Sequence, residues 1–286
     1  MSKTYSIKDL KKDFRTDKKC LDYIYKAKYK DLNHCLKCGF ISKHWNVKGT
    51  KRYVAKCGHT LFPCKDTIFE NSSTLLSSWF HAIFLFSISK NGVSAKELGR
   101  SLGITYKTAW RIAKQIRSIM DDDGNVMFKK TNEIDETYIG GCETNKHELV
   151  KNNELSHFKQ KASITSVKNK KLVQVKFEIF NQVNDKTISA FLETNISKDS
   201  TIIIDEWNGY KRALQNAADW FTRKVVNHSN IKYENIKVST NGIEGMWSCL
   251  KRGLKGTYIK VSKKHLPFYL NEFESRQNHK NDILKK

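Results

Sequence analysis

The run Thr201-Ile202-Ile203-Ile204-Asp205 decides how the chain folds. Four β-branched residues without polar alternation read as a strand of the buried type, and that strand ends on a carboxylate. A carboxylate beside a hydrophobic core is costly unless a cation compensates it, so Asp205 reads as part of a site. Upstream, Asn132 to Gly141 reads as a strand that carries Asp135 and ends in a glycine turn. Two more strands, rich in Val, Ile and Phe, are expected over Ala162–Val167 and Leu172–Phe180, followed by a short helical run from Lys186 to Leu192. Downstream, the stretch Asn241–Arg252 has helical periodicity through Ile243, Trp247 and Leu250 and carries Glu244. Short β-rich runs alternating with helical runs make this an α/β domain, expected over residues 126–286.

Two strands of one sheet and one covering helix can bring Asp135, Asp205 and Glu244 together. Three carboxylates at one point repel one another unless metal ions sit between them. Two Mg²⁺ ions about 4 Å apart would clamp the attacking and leaving oxygens of an in-line phosphoryl transfer, and Mn²⁺ is an alternative. A single Asp taken blindly is more often a solvated strand-end residue. The three together, on a basic chain, reverse that judgement.

Residues 1–70 form a cysteine-containing lobe. Residues 1–60 hold 16 Lys and Arg against 5 Asp and Glu. Cys35-x-x-Cys38-Gly39 makes a tight knuckle whose thiolates can hold one zinc ion. The stretch His44–Lys56 reads as strand, turn at Gly49, and strand, which returns Cys57 to the first knuckle. The fourth ligand is expected to be Cys64, with His59 as the substitute. Zinc here would be structural, because so small a lobe cannot otherwise build a core. The competing reading is a set of buried free cysteines.

Residues 71–125 form a second region, which reads as helical over 71–120. Asn71-Ser72-Ser73-Thr74 looks like a cap before an apolar stripe through Leu75, Trp79, Phe80 and Ile83. Ser94 then caps a short helix carrying Leu98, Gly103 gives a sharp turn, and Thr105 caps a second helix. Helix, glycine turn, helix is the helix-turn-helix pattern, and Tyr106, Lys107, Arg111, Lys114 and Arg117 are expected on the open faces of its second helix. The ordinary alternative is a helical hairpin with a solvated basic face. The acidic turn Asp121–Asn125 marks the boundary to the third block.

The whole chain of 286 residues carries 52 Lys and Arg against 29 Asp and Glu, a net charge of +23. That excess points to a polyanionic partner, nucleic acid first among them. No apolar run is long enough for a transmembrane helix, no lipid-anchor motif is present, and the N-terminus lacks the apolar segment of a secretory signal. Seven cysteines, four of them between Cys35 and Cys64, suit metal binding better than a disulfide framework.

At these residues the sequence resembles the insertion-sequence transposases with an N-terminal zinc ribbon and a DDE catalytic core, relatives of the eukaryotic Merlin transposons. The resemblance rests on IDETYIGG at 134–141, IDEWNGY at 204–210, TNGIEGMWSCLKRGLKGTY at 240–258 and VSKKHLPFYLNEFESRQN at 261–278, together with the helix-turn-helix stretch. It implies an RNase H-like core, a mixed sheet flanked by helices, preceded by the zinc ribbon and the helix-turn-helix. It implies Asp135, Asp205 and Glu244 as the catalytic triad, and Lys251, two turns along the helix from Glu244, as a contact to element-end DNA. Some relatives carry Asn as the third residue, and Asn241 lies one turn before Glu244; the seven-residue step to Lys251 favours Glu244. The implied partners are terminal-repeat and target DNA and further copies of the chain, a homodimer or higher oligomer in the synapse. The implied location is cytoplasmic and nucleoid-associated, or nuclear in a eukaryotic host. Val54 stands where the ribbon's third cysteine is usual, and His279-Lys280 where arginine usually follows Asn278.

Three functions compete on this reading. An active transposase would cut the element end and join the new 3′-OH to target DNA. A retired transposase would act only as a DNA-binding regulator, but decay usually strikes the carboxylates, which are intact. A structure-specific nuclease of the same fold would not need the N-terminal DNA-reading block.

Overall fold

The computed structural model describes residues 5–30, 32–120, 127–140, 162–172, 174–180, 184–204, 221–225 and 240–279. These fall into two compact units, one of residues 5–89 with 93–119, the other of residues 90–92 with 120–279.

The first unit begins with helices α1 (Ile7–Asp13) and α2 (Asp17–Tyr29). Ser6 and Asp9 cap α1 reciprocally, and the Thr16 side chain caps α2. A three-stranded antiparallel sheet follows in the order β1 (His44–Asn46), β2 (Tyr53–Ala55), β3 (Thr60–Leu61). One face of it packs Tyr53 and Leu61 onto Cys20, Leu21 and Ile24 of α2, with Cys64 and Leu76 in the same cluster. Tyr25 stacks on Tyr53 with ring centroids 4.2 Å apart. The sheet therefore buries one face against α2.

Helix α3 (Leu76–Ile88) does not start as its sequence suggests. No side chain of the Asn71–Thr74 stretch caps it, and Leu75 holds the cap position. Asp17, the first residue of α2, accepts the N–H groups of Leu76 and Ser77 at 3.0 Å each. Ser72 instead accepts the Trp79 indole at 3.0 Å. A tertiary carboxylate at a helix N-terminus meets the same unsatisfied donors more strongly than a local hydroxyl, because it carries charge. Helices α4 (Ala95–Leu102) and α5 (Tyr106–Ser118) follow as expected, capped by Ser94 and Thr105 and separated by Gly103 in the left-handed conformation. Leu98, Ala109, Ile112, Ala113 and Ile116 are buried along their inner faces.

The second unit holds β4 (Thr131–Ile139), β5 (Ala162–Asn169), β6 (Val175–Phe180), α6 (Asp185–Asn195), β7 (Ser200–Ile204), β8 (Phe221–Val225), α7 (Asn241–Gly253), a π-helical turn (Leu254–Tyr258) and α8 (Leu266–Asn278). The five strands lie in the order β6-β5-β4-β7-β8. Pairs β4–β5 and β5–β6 are antiparallel, whereas β4–β7 and β7–β8 are parallel. On one face Ile188, Phe191 and Leu192 of α6 pack on Ile134, Val167, Ile202 and Ile204. On the other, Ile243, Trp247 and Leu250 of α7 and Leu270 and Phe273 of α8 pack on Ile164 and Phe177. This mixed sheet with helices on both faces is the RNase H-like arrangement.

Two strand expectations need correction. Leu172 is 69% exposed and lies in the β5–β6 turn, not in a strand. The Asn169 side chain accepts the N–H groups of Lys171 at 3.0 Å and Leu172 at 2.8 Å, and this local bonding turns the chain. Strand β8 was not expected. Its sequence, Phe221-Thr222-Arg223-Lys224-Val225, has two cations in five residues and no turn residue beside it.

Strand β6 is an edge strand, and α8 satisfies its outward backbone groups. Asn278 accepts the Val175 N–H at 2.8 Å and donates to the Val175 carbonyl at 3.0 Å. Glu274 accepts the Phe177 N–H at 3.0 Å and pairs with Lys176 at 3.1 Å. Covering an edge in this way removes a template for strand addition.

Candidate functional site

Strand alternation sets Glu133, Asp135 and Thr137 on the face that α7 covers, because Ile134 between them packs with α6. Asp135 is the fifth of the nine residues of β4. Among the described residues the parallel pairing of β4 to β7 runs from Thr131 opposite Thr201 to Glu133 opposite Ile203, two residues before Asp135. The Asp135 side chain is half-buried. One of its oxygens accepts the Glu136 N–H at 2.9 Å, and the other accepts the Trp247 indole N–H at 3.0 Å.

Trp247 lies on α7, one turn after Glu244. The helix that carries Glu244 is thus fastened directly to Asp135. Glu244 is exposed, and its Oε1 accepts the Thr240 hydroxyl at 2.8 Å. Lys251 is exposed on the same stripe of α7. Asp205 follows β7 directly and lies outside the described residues, as do most of the IDEWNGY motif and the acidic boundary turn.

The start of α7 is held by a second set of contacts that the sequence did not suggest. Glu133, 2% exposed, accepts the Ile243 N–H at 2.8 Å. Lys168, opposite Glu133 on β5, donates to the Gly242 carbonyl at 2.6 Å. Lys170 lies 3.9 Å from Glu133 on its other oxygen. A Cβ at position 242 would stand 2.5 Å from the Glu133 carboxylate and 2.8 Å from the Lys168 ammonium. Only glycine lets the helix end approach the strand so closely. The buried carboxylate meets an N–H of the first turn of α7 and the Lys170 ammonium, which offsets its desolvation.

In the first unit, donor atoms of Cys35, Cys38, Cys57 and His59 all lie within 4.8 Å of one another. The His59 Nδ1 is 3.4 Å from the Cys35 sulfur and 3.5 Å from the Cys57 sulfur. Bond lengths of about 2.3 Å to sulfur and 2.0 Å to nitrogen put the S···N edge of a zinc tetrahedron at about 3.5 Å. The donor set therefore fits zinc. Gly58, at φ +84°, makes the turn that lets Cys57 and His59 face one point despite the short gap. The Cys35 thiol is lowered to about 6, first by the Lys37 N–H and further by hydrogen bonds from Cys38 and Cys57. Cys64, the expected fourth ligand, is not in the group. It is buried in the apolar cluster with Cys20 and Leu76, and burial pushes its thiol up.

The second helix of the helix-turn-helix is less open than expected. Tyr106 and Lys107 are exposed. Arg111, expected near a groove, bonds inward to Ser72 at 3.3 Å and Thr74 at 3.1 Å, over the Trp79 ring. Arg117 is 2% exposed, donating to the Val93 carbonyl at 3.0 Å above the Phe86 ring. Lys114 sits over Trp110. The arginine stems cover apolar surface, and their planar heads satisfy the Val93 carbonyl and the Ser72 and Thr74 hydroxyls.

A mixed five-stranded sheet with an Asp on its central strand, tied to the Glu244-bearing helix laid over that strand, fits a protein of the polynucleotidyl transferase kind. Residues 128–278 match the ISXO2-like transposase domain, and the chain belongs to that family. Over 284 residues it is 22% identical to an uncharacterized protein in transposable element ISH50 of Halobacterium salinarum, covering 93% of this chain and 92% of that protein. Among solved structures it is similar to the HTLV-2 integrase catalytic core domain in complex with magnesium, at 14% identity and a TM-score of 0.31, over 54% of this chain and 88% of that one. It is also similar to a simian T-cell lymphotropic virus intasome in complex with a PP2A regulatory subunit, at 11% identity and a TM-score of 0.32, over 62% of this chain and 63% of that one. Among the described residues no helix is long and apolar enough to cross a membrane.

Proposed function

We propose that the chain is an active transposase that hydrolyses a phosphodiester at the end of its element and then uses the freed 3′-OH to attack target DNA. Asp135, Asp205 and Glu244 are the catalytic carboxylates of this reading. The observation that carries it is the Trp247–Asp135 hydrogen bond, which joins the central strand to the helix bearing Glu244. The register supports Asp205 as the second member: Glu133 pairs with Ile203, and in sequence Asp135 and Asp205 each follow two residues later.

Asp135 accepts hydrogen bonds from Glu136 and Trp247, one at each oxygen, which fix the direction in which the carboxylate faces. Divalent ions held by the three carboxylates, Mg²⁺ or Mn²⁺, would supply Lewis-acid polarisation of the phosphate and a low-pKa water. Glu244 is positioned by Thr240, and Lys251 neutralises a phosphate of the element end two turns further on. Lys107 and Tyr106, at the open N-terminus of α5, reach the duplex, while Arg111 serves the packing beneath them. A zinc ion on Cys35, Cys38, Cys57 and His59 is structural. Joining two element ends requires more than one copy of the chain.

The test is cleavage and joining of labelled element-end DNA by Asp135→Ala, Asp205→Ala and Glu244→Ala proteins in Mg²⁺ or Mn²⁺, with binding measured in Ca²⁺. Each variant loses on the order of a thousandfold or more in rate while binding is kept or strengthened. If Glu244→Ala cuts normally while Asn241→Ala is dead, Asn241 takes the third place. If all three variants cut normally, the protein is a DNA-binding regulator.

A further inference from the structure

The small sheet of the first unit has a second face that the zinc knuckle and the helix packing do not use. His44, Tyr53, Ala55 and Leu61 point to the α2 side, with Tyr53 and Ala55 buried. Their neighbours in sequence point the other way. Trp45 stands opposite Val54, and Val54 opposite Thr60. One register step on, Val47 and Arg52 are joined by a hydrogen bond of 3.1 Å, and Phe62 follows β3 on the same parity as Thr60. One step the other way, the Lys56 N–H bonds the Ser42 side chain at 2.9 Å, which sets Lys56 beside Lys43. Trp45 and Phe62 are each 51% exposed, and Lys43, Arg52 and Lys56 are exposed with them.

A solvated strand face is ordinarily polar, because its side chains gain nothing from burial. Here two large aromatic rings occupy it, flanked by three cations and no carboxylate. Rings on a flat sheet with cations at the margin suit a polyanion whose flat apolar groups are open to contact. Single-stranded nucleic acid has that chemistry: its base faces are free to stack and its phosphates lie alongside. In a duplex the base faces are already stacked on one another and closed to a ring.

We propose that the outward face of the β1–β3 sheet is a platform for single-stranded DNA, with Trp45 and Phe62 stacking on unpaired bases and Lys43, Arg52 and Lys56 meeting the backbone. This goes beyond the catalytic reading and is independent of the three carboxylates. It gives the zinc lobe a ligand other than the duplex assigned to α5.

The test is fluorescence anisotropy with the zinc-loaded full-length protein at fixed ionic strength. The probes are labelled oligothymidylate of roughly twenty nucleotides and the same strand annealed to its complement. Trp45→Ala and Phe62→Ala each weaken single-strand binding on the order of tenfold, since a base stack on an aromatic ring accounts for about that much. Duplex affinity stays within twofold, and Trp45→Phe, which keeps a ring, restores most of the loss. Both residues are on the surface, so zinc content and circular dichroism stay unchanged. Unaltered single-strand affinity in both alanine variants overturns the proposal. So does an equal fall for both probes, which would make the face a general phosphate-binding surface. Asp135→Ala keeps full single-strand binding, so a failure of the catalytic reading leaves this result untouched.

Discussion

His59 shows what a single residue decides. With Cys57 beside it, the pattern Cys57-Gly58-His59 looked too tight for two ligands, which favoured Cys64. Two physical details reverse that choice. Gly58 adopts a left-handed backbone, and the histidine reaches the site through Nδ1, 3.4 and 3.5 Å from two sulfurs. Cys64 lies beyond β3, whose pairing to β2 carries the chain away from the knuckle and into the α2 cluster. His59→Ala and Cys35→Ser proteins are therefore expected to lose zinc by atomic absorption, while Cys64→Ser retains one ion per chain. Zinc loss in Cys64→Ser with full occupancy in His59→Ala would falsify this ligand set. Three of the four donors were legible in the sequence because they are thiols at knuckle spacing. The fourth was legible only as the substitute for Cys64, because the choice between them depends on a backbone dihedral angle. The same limit applies to Arg111 and Arg117: charge on a helix reads as solvated until the packing beneath it is known.

Helix α7 is the element on which the candidate site depends. Its apolar stripe through Ile243, Trp247 and Leu250 was plain in the sequence, since a 3.6-residue period needs no tertiary information. What fixes its height over the sheet was not, because Glu133, Lys168 and Gly242 come from three distant segments. A helix end left free would let Glu244 drift, and catalytic groups need placement within about 0.5 Å. Glu133→Ala removes the side-chain acceptor of the Ile243 N–H and the carboxylate that faces the Lys170 ammonium. The expected cost is about 1–3 kcal/mol of stability in the second unit, measured by denaturant titration. The same variant loses cleavage more than it loses DNA affinity, and Glu133→Gln, which keeps an acceptor oxygen, recovers part of the stability. Cleavage and stability equal to the parent in Glu133→Ala would mean that Trp247 alone holds the helix.

At the scale of the whole molecule, the two units differ in what keeps them folded. The second has a sheet of five strands with an apolar cluster on each face, and α8 closes one of its edges. Its stability rests on burial and hydrogen bonding within the unit. The first relies on a small cluster around Leu21, Ile24 and Tyr53, a sheet whose strands are two or three residues long, and buried helix faces elsewhere. Such short strands are marginal alone, and a tetrahedral ion held by Cys35, Cys38, Cys57 and His59 would supply the missing constraint. Metal bound to the folded form stabilises it by mass action, so chelation removes that increment from one unit only. Calorimetry of the zinc-loaded chain should thus resolve a transition that moves to lower temperature when a strong chelator is added, and a second that does not move. Far-UV circular dichroism after chelation should keep the signal of the five-stranded sheet and its helices. A single transition shifting as a whole would show that the units unfold together and that zinc supports the catalytic sheet as well. An unchanged profile with zinc demonstrably removed would instead show that the first unit's cluster and helices suffice without the ion.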